Sequence, residues 1–388
     1  MNQLSEVLNI VFLVVSGIYI VYLSVFSVAS RFRIKQCLPR KNVRNRFLII
    51  IPAYKADVVI EETVEASINQ KYERELFDVL VVSDSMAEAT DEKLTALGAY
   101  VLNVYFENST KAQSLKSAIS YIEKQDKVYD YVLILDADNI IYPDFLSGFE
   151  WIDSDKVTAI QCHRIAKNID TDIALLDAVS EEMNNSIYRQ GHVNCHISSA
   201  LIGSGMLFSF SWFCKSVDLL KTVGEDKELE LMLLSERKFI YYSADAFVLD
   251  EKVRKSSNFY NQRRRWIAAQ FESFSIAKKY LPNIFNPLNI GFVDKLFQWL
   301  IPPRIMLLGG LFVWTIIVLL FHLSWLGIWL LIDMVFLTAL MLAIPANMYS
   351  SRLMKALCKV PYLFILMIFN IFRLRNATKS FIHTNRNS

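Results

Sequence analysis

Several familiar signatures are missing from this chain of 388 residues. Its five cysteines, at 37, 162, 195, 214 and 358, are odd in number and form no C-x-x-C pair, which fits a reduced, cytosolic domain rather than a disulfide framework. Cys162, His163, His192, Cys195 and His196 have the spacing of no familiar zinc site and read as core or loop residues. There is no G-x-G-x-x-G and no Walker loop, so neither a dinucleotide fold nor a P-loop is indicated. Internal repeats and low-complexity tracts are absent too. The formal charge is only +2, and the basic residues gather beside apolar runs, a pattern that argues for phospholipid contact and against nucleic acid.

Apolar residues are what the chain has in excess. With 53% hydrophobic residues, 26 Phe and a mean hydropathy of +0.29, yet 21% charged residues, part of it should lie in a membrane. Val7 to Val28 carries no charge and is long enough to cross about 30 Å of hydrocarbon. Arg31, Arg33, Lys35, Arg40, Lys41, Arg44 and Arg46 all follow it, so it reads as an anchor with its N-terminus outside, not as a cleaved signal. Ile305 to Leu323 and Trp325 to Pro345 are two further spans, joined by an external loop without Lys or Arg. Val360 to Phe372 is too short to cross comfortably and is flanked by cations on both sides, so it is expected to be re-entrant or interfacial. Asp333, within the third span, must face protein or water, with a helix-packing hydrogen bond as its expected role.

The region from Asn42 to Arg254 has the size of one α/β domain. Strand signals recur at 47–51, 77–82, 100–102, 132–135 and 157–161, with helical patterns at 61–69, 91–97 and 114–123 between them. Such alternation implies a doubly wound, mostly parallel sheet. In Val132 to Asn139, VLILDADN, two carboxylates follow an aliphatic run. Period-two alternation sends Asp136 and Asp138 to the same side beyond the strand's carboxyl end, where such sheets bind ligands, and two hard oxygens suit Mg²⁺ or Mn²⁺. A plain turn after a strand is the other reading.

Six segments then carry a resemblance: Ile51-Pro52-Ala53-Tyr54, Val81-Val82-Ser83-Asp84, Lys111, Asp136-Ala137-Asp138, Gly224-Glu225-Asp226 and Gln262-Arg263-Arg264-Arg265-Trp266. In this order they resemble the membrane-integrated family 2 glycosyltransferases, the group of the cellulose, chitin and hyaluronan synthases. The resemblance implies a GT-A-like domain using a UDP-sugar donor and Mg²⁺ or Mn²⁺. It implies that Asp136 and Asp138 hold the metal and that Pro52, Tyr54, Asp84, Lys111, Asp136 and Arg265 meet the donor. Asp226 would be the general base, and Ser204, Glu225, Gln262 and Trp266 would face the acceptor. The tail Phe381 to Arg386 resembles, more loosely, a gating loop, which would bring Thr384 and Arg386 to the donor. The implied layout is an anchor at 1–30, a cytoplasmic glycosyltransferase domain at 42–254, interfacial amphipathic helices at 255–300, two spans at 301–346, a re-entrant or interfacial segment at 352–376 and a cytoplasmic tail at 377–388.

Chemistry agrees with this assignment. A departing diphosphate needs positive charge, from a metal, Lys111 and the arginines. Asp226 at a helix start suits a base, although an acidic residue there also stabilises a helix end. One base with no second nucleophilic carboxylate implies single displacement with inversion. Ile267, Phe271, Phe274, Ala277 and Leu281 have the spacing of a stripe lying on a membrane surface. Two departures stand out: the acid that often follows P-x-Y is displaced to Asp57, and Lys116 stands where relatives frequently have Asn. The expected function is processive synthesis of a β-linked polysaccharide at the plasma or inner membrane, with an oligomer or export partner completing the path. Single-sugar transfer to a lipid-linked acceptor, and a carrier or channel with a nucleotide-binding domain, are the alternatives.

Overall fold

The structure, a computed structural model, describes residues 3–372 except 33, 35, 223 and 286, and within helices the side chains other than those of 257, 261, 265, 267–269, 271, 283 and 370–372. In the N-terminal half, α1 (Gln3–Ala29) leads into β1 (Phe47–Tyr54), α2 (Ile60–Ile68), β2 (Phe77–Asp84), α3 (Glu88–Ala96), β3 (Tyr100–Val104), α4 (Lys111–Glu123), β4 (Tyr131–Ile134) and β5 (Ile140–Ile141). Then come β6 (Ala159–Ala166), α5 (Asp172–Asn184), a π-helical segment (Asn185–Gly191), α6 (His192–Asn194), β7 (Met206–Ser209), α7 (Phe210–Val217), α8 (Glu225–Ser235) and β8 (Ile240–Asp250). The remaining helices are α9 (Ser256–Tyr280), α10 (Ile290–Leu300), α11 (Arg304–Phe321), α12 (Leu326–Ala343), α13 (Ser351–Leu357) and α14 (Val360–Phe372).

One sheet of eight strands, in the order β3-β2-β1-β4-β7-β6-β8-β5, forms the centre of an α/β domain. Its first half is parallel and is covered on both faces, which explains why the strand sequences are apolar runs. Ile49, Ile51, Val79, Val81, Leu133 and Leu135 pack towards Ile60 and Val64 of α2 and Leu94 of α3. The alternate residues Leu48, Ile50, Leu80, Val82, Val132 and Ile134 pack towards Leu115, Ile119 and Ile122 of α4. Each fully buried aliphatic side chain contributes about 1.5–3 kcal/mol relative to exposure, so a polar residue on either face of β1 would weaken the domain's centre.

The second half brings antiparallel pairs into a sheet in which most pairings are, as expected, parallel. β7 runs antiparallel to both β4 and β6, and β5 antiparallel to β8, so the sheet is mixed. The long β8 pairs with β6 in parallel, with an irregularity between Cys162 and His163.

Among the described residues three helices are long and apolar enough to cross a membrane: α1, α11 and the stretch Leu323–Ala343 that contains α12. Polar side chains between them find partners in one another, as they must where water is absent. Asn9 Oδ1 accepts the indole N–H of Trp314 at 3.1 Å and of Trp329 at 2.9 Å, and Thr315 donates to Asp333 at 2.8 Å. The end of α1 is also fastened to the α/β domain. The Phe26 ring stacks on His192 with centroids 3.7 Å apart, and the Tyr22 hydroxyl lies 2.9 Å from His192 Nε2 and donates to Asp294 of α10 at 2.6 Å. At Gly191 a Cβ would lie 2.2 Å from the Phe26 carbonyl oxygen, so no side chain fits there.

The stripe expected on a membrane surface is turned inward at two of its positions. Ala277 is buried and Phe274 packs edge-on to Trp299, in a cluster with Leu231, Leu234 and Phe292. Among the described residues, the exposed apolar side chains of this region are Trp266 on α9 and Leu281, Phe285, Leu288, Ile290, Val293 and Leu300 beyond it. Most sit on α10 and the turn before it, because Phe274 and Ala277 of α9 pack against α8 and α10.

Candidate active site

The acidic loop is a turn. β4 ends at Ile134, and Asn139 N donates back to the Asp136 carbonyl at 3.1 Å, closing Asp136-Ala137-Asp138-Asn139. The strand alternation invoked to place both carboxylates on one side therefore does not apply, since the strand stops before them. The turn is held from three directions. Thr63 of α2 donates to the Ala137 carbonyl at 2.8 Å, Asn139 Oδ1 accepts the Asp136 N–H at 3.1 Å and also the Ser204 hydroxyl, and Asn139 Nδ2 donates to Asp250 at 3.4 Å. Asp138 is buried, 3% exposed, while the side chain of Asp136 is 30% exposed.

Lys111 ties four distant segments together. It opens α4, whose N-cap Thr110 accepts the Gln113 N–H through its side chain. Its ammonium lies 2.6 Å from Asp136 Oδ1, donates to the Gly203 carbonyl at 2.5 Å, and is 3.5 Å from Glu225 Oε1. Gly203 is left-handed, with φ +80°, and a Cβ there would lie 3.8 Å from both Asp226 Oδ2 and Glu225 Oε1. Glu225 and Asp226 form the first turn of α8, where carboxylates suit the helix dipole. The loop before them is fixed by Glu228, which accepts from the N–H groups of Lys221 at 2.8 Å and Thr222 at 3.2 Å.

Crowding shifts these groups. Burial works against charge on Lys111, but Asp136, Glu225 and Asp226 together hold its pKa above the usual lysine value. Glu225 is raised to about 7, first by burial and then by Asp226 and Asp136, against the pull of Lys111. The cluster thus offers one cation among three carboxyl groups, with Glu225 the one held protonated furthest up the pH scale by its burial.

The other expected donor residues border β1 and β2. Pro52 pairs with Val82 and Tyr54 with Asp84 across the two parallel strands. Asp84 is buried and accepts from Ser85 at 2.9 Å, and the Lys55 ammonium sits 5.2 Å over the Tyr54 ring. The displaced acid, Asp57, accepts from Ala87 N at 2.8 Å and Thr90 Oγ1 at 2.7 Å, so it caps α3. Ser204, expected beside an acceptor, is fully buried and bonded to Asn139; it shapes the acidic turn.

The QRRRW stretch lies in α9, and its described contacts run to α5 rather than to Lys111. Arg263 pairs with Asp177 at 2.5 Å and lies 4.4 Å over the Trp266 ring, which is 37% exposed. Gln262 Oε1 is buried without a hydrogen-bond partner. The side chain of Arg265, and Thr384 and Arg386 altogether, fall outside the described residues.

Among the described residues no group of three or more His, Cys, Asp or Glu side chains is placed to hold a metal ion. Two carboxylates in one turn nonetheless fit Mg²⁺ or Mn²⁺, which usually take one or two protein carboxylates and complete their shells with water and substrate phosphates. Sequence reasoning quoted Asn139 without giving it a role, and it missed Asp250 and the Gly203 carbonyl. Asp250 closes a strand that was not recognised, and a carbonyl leaves no trace in residue type.

The description glycosyltransferase like family 2 matches residues 44–269, more than half of the chain. Among solved structures, a mannosyltransferase from Pyrobaculum calidifontis, in complex with GDP-Man and Mn²⁺, superposes with a TM-score of 0.53 over 93% of this chain and 98% of that one, at 13% identity. At that identity the likeness shows a common fold, a GT-A-like α/β domain with apolar helices attached. Glucosyl-3-phosphoglycerate synthase from Mycobacterium tuberculosis, in complex with Mn²⁺, UDP and phosphoglyceric acid, reaches a TM-score of only 0.40 at 14% identity, over 59% of this chain and 78% of that one, too slight to bear on the fold. No curated protein sequence matches the chain. The motif order, the sheet and the family match agree: the chain belongs to the family 2-like glycosyltransferases.

Proposed function

We propose that this glycosyltransferase is a membrane-integrated, inverting enzyme of the cellulose, chitin and hyaluronan synthase type, building a β-linked polysaccharide from a UDP-sugar at the cytoplasmic face of the plasma or inner membrane. One observation carries the proposal: Lys111, Asp136, Gly203 and Glu225, from four separate segments, meet within 3.5 Å of one ammonium group. A structural ion pair does not need three acceptors and a neighbouring base; a site that receives a diphosphate and activates a hydroxyl does.

Asp136 and Asp138 would hold the divalent ion, which when bound neutralises charge on the leaving diphosphate. Lys111 stands beside Asp136 and is the chain's own cation for that charge. Asp226, beside Gly203, takes the proton of the acceptor hydroxyl as its oxygen attacks the anomeric carbon. A single displacement inverts that carbon. Pro52, Tyr54 and Asp84 border the nucleoside side of the site, with Arg265, Thr384 and Arg386 as further donor contacts. Gln262, Glu225 and Trp266 face the acceptor. The domain limits at 42–254 and 255–300, the cytoplasmic placement and the interfacial or re-entrant role of 352–376 belong to the same proposal.

Single-sugar transfer to a lipid-linked acceptor is the second reading. It is favoured by the membrane part, since three membrane-length helices are few to enclose a polymer; a processive enzyme of this build would need an oligomer or export partner.

Purified full chain incubated with a panel of UDP-sugars and Mn²⁺, followed by UDP release, tests the proposal. One sugar should stand out, and Asp226→Asn should lose turnover while keeping donor affinity close to wild type. Retention of a substantial share of turnover in Asp226→Asn would remove the base from Asp226.

A further inference from the structure

Behind the acidic turn lies a buried ionic cluster that the reaction as described does not use. Arg164, Arg189, Lys252, Glu181 and Asp250 are all buried. Glu181 accepts from Arg164 at 2.9 Å and pairs with Arg189 at 3.4 Å and Lys252 at 3.8 Å; Asp250 takes Lys252 at 2.8 Å and lies 3.9 Å from Arg164 Nε. Three cations face two anions, so the cluster carries an excess of one positive charge. Breaking such a cluster is costly, and burying it is costly as well, so its retention calls for a reason beyond stability.

Asn139 supplies one. Its side-chain amide has a donating end and an accepting end, and the two cannot be exchanged freely. The Asp250 carboxylate, which takes Lys252 on its other oxygen, accepts from Nδ2 and so holds the donating end towards itself. The accepting Oδ1 is then turned towards the Asp136 N–H and the Ser204 hydroxyl. β8 adds a second grip, because its Val248 and Leu249 pair with β5, the two residues that follow Asn139.

We propose that Asp250, paired with Lys252 and Arg164, is a positioning residue for the metal-holding turn: it sets the orientation of the Asn139 amide and thereby the geometry of Asp136 and Asp138. This rests on the donor-site reading above. The α5 and π-helical segments, which supply Glu181 and Arg189, are by this route coupled to the turn.

The test measures Mn²⁺ binding to the purified full chain with UDP present, from the loss of the free-ion signal in electron paramagnetic resonance. Wild type should bind Mn²⁺ in a UDP-dependent manner. Asp250→Asn and Asn139→Ser should each raise the dissociation constant roughly tenfold or more, the scale of losing a partner that orients a ligand. The double variant should be no weaker than the weaker single, since both changes cut one interaction. Asn139→Ser leaves the ionic cluster intact, so it decides the matter alone if Asp250→Asn does not fold. Unchanged Mn²⁺ affinity in folded Asn139→Ser, or a lowered Tm with unchanged affinity in Asp250→Asn, overturns the positioning role and leaves the donor site standing. Absence of UDP-dependent Mn²⁺ binding in wild type overturns the donor-site reading itself, and this inference with it.

Discussion

The guanidinium carbon of Arg263 lies 4.4 Å from the centre of the Trp266 ring, while its Nη2 is held 2.5 Å from Asp177. A cation so placed steadies the indole and covers one of its faces, leaving the other for a sugar. Trp266→Ala should weaken acceptor engagement by about 1–3 kcal/mol and shift products towards short chains or plain donor hydrolysis, with donor binding preserved. Asp177→Asn should move product length the same way without touching the ring. Gel or chromatographic length profiles decide it. Identical distributions in wild type, Trp266→Phe and Trp266→Ala would favour the single-sugar reading.

Glu225 makes stability depend on pH. Its carboxyl has an ordinary value of 4.5 and is raised to about 7 in the fold, so the folded state binds more protons between those limits. Stability from this group is complete below pH 4.5 and is lost as pH rises through 7. Glu225→Gln, which cannot ionise, should flatten that part of the Tm profile, with the difference from wild type growing by about 2–4 °C for each kcal/mol recovered. A parallel pair of profiles from pH 4.5 to 8 would count against the burial of Glu225 beside Asp226 and Asp136.

Asn9 accepts two indole N–H groups within the membrane part. Asn9→Leu leaves both without that acceptor and should cost roughly 1–2 kcal/mol, read as a lower Tm in detergent. Replacing Trp329 by Phe in the same background should then add only its packing change. Full additivity of the two substitutions would show that the hydrogen bond contributes nothing.

Topology is open to direct labelling. The basic residues after α1 and on both sides of α14 predict that the tail is cytoplasmic. In a background in which the native cysteines are replaced, a cysteine at Ser388 should resist an impermeant thiol reagent outside intact cells and react once the membrane is opened. Reaction in intact cells would reverse the assignment.

The parallel half of the sheet was legible because burial on both faces leaves unbroken apolar runs, as in Phe47 to Ile51 and Val132 to Leu135. β8 was not: Tyr241, Ser243, Ala244 and Asp245 break the run, and the irregular pairing at Cys162 and His163 disturbs its alternation. Lys111, Asp136, Glu225 and Asp226 were legible from their order along the chain. Their meeting point was not, because the Gly203 carbonyl and the Asn139 amide that organise it are read only in three dimensions. The stripe of α9 showed helical spacing, but spacing is silent on whether Ala277 meets lipid or, as found, other helices. Asp57 looked like a displaced donor contact and proved to be a helix cap.

The partners of Asn9 also set an order of manufacture. Trp314 and Trp329 stand 305 and 320 positions further along the chain. At a synthesis rate of 5–20 residues per second, roughly 15–60 s pass between the emergence of Asn9 and that of its two indoles. During that interval α1 waits for them while the whole α/β domain is being made behind it. The first membrane-length helix to emerge is therefore among the last to find its partners, because Asn9 meets both indoles only once the last fifth of the chain is being made.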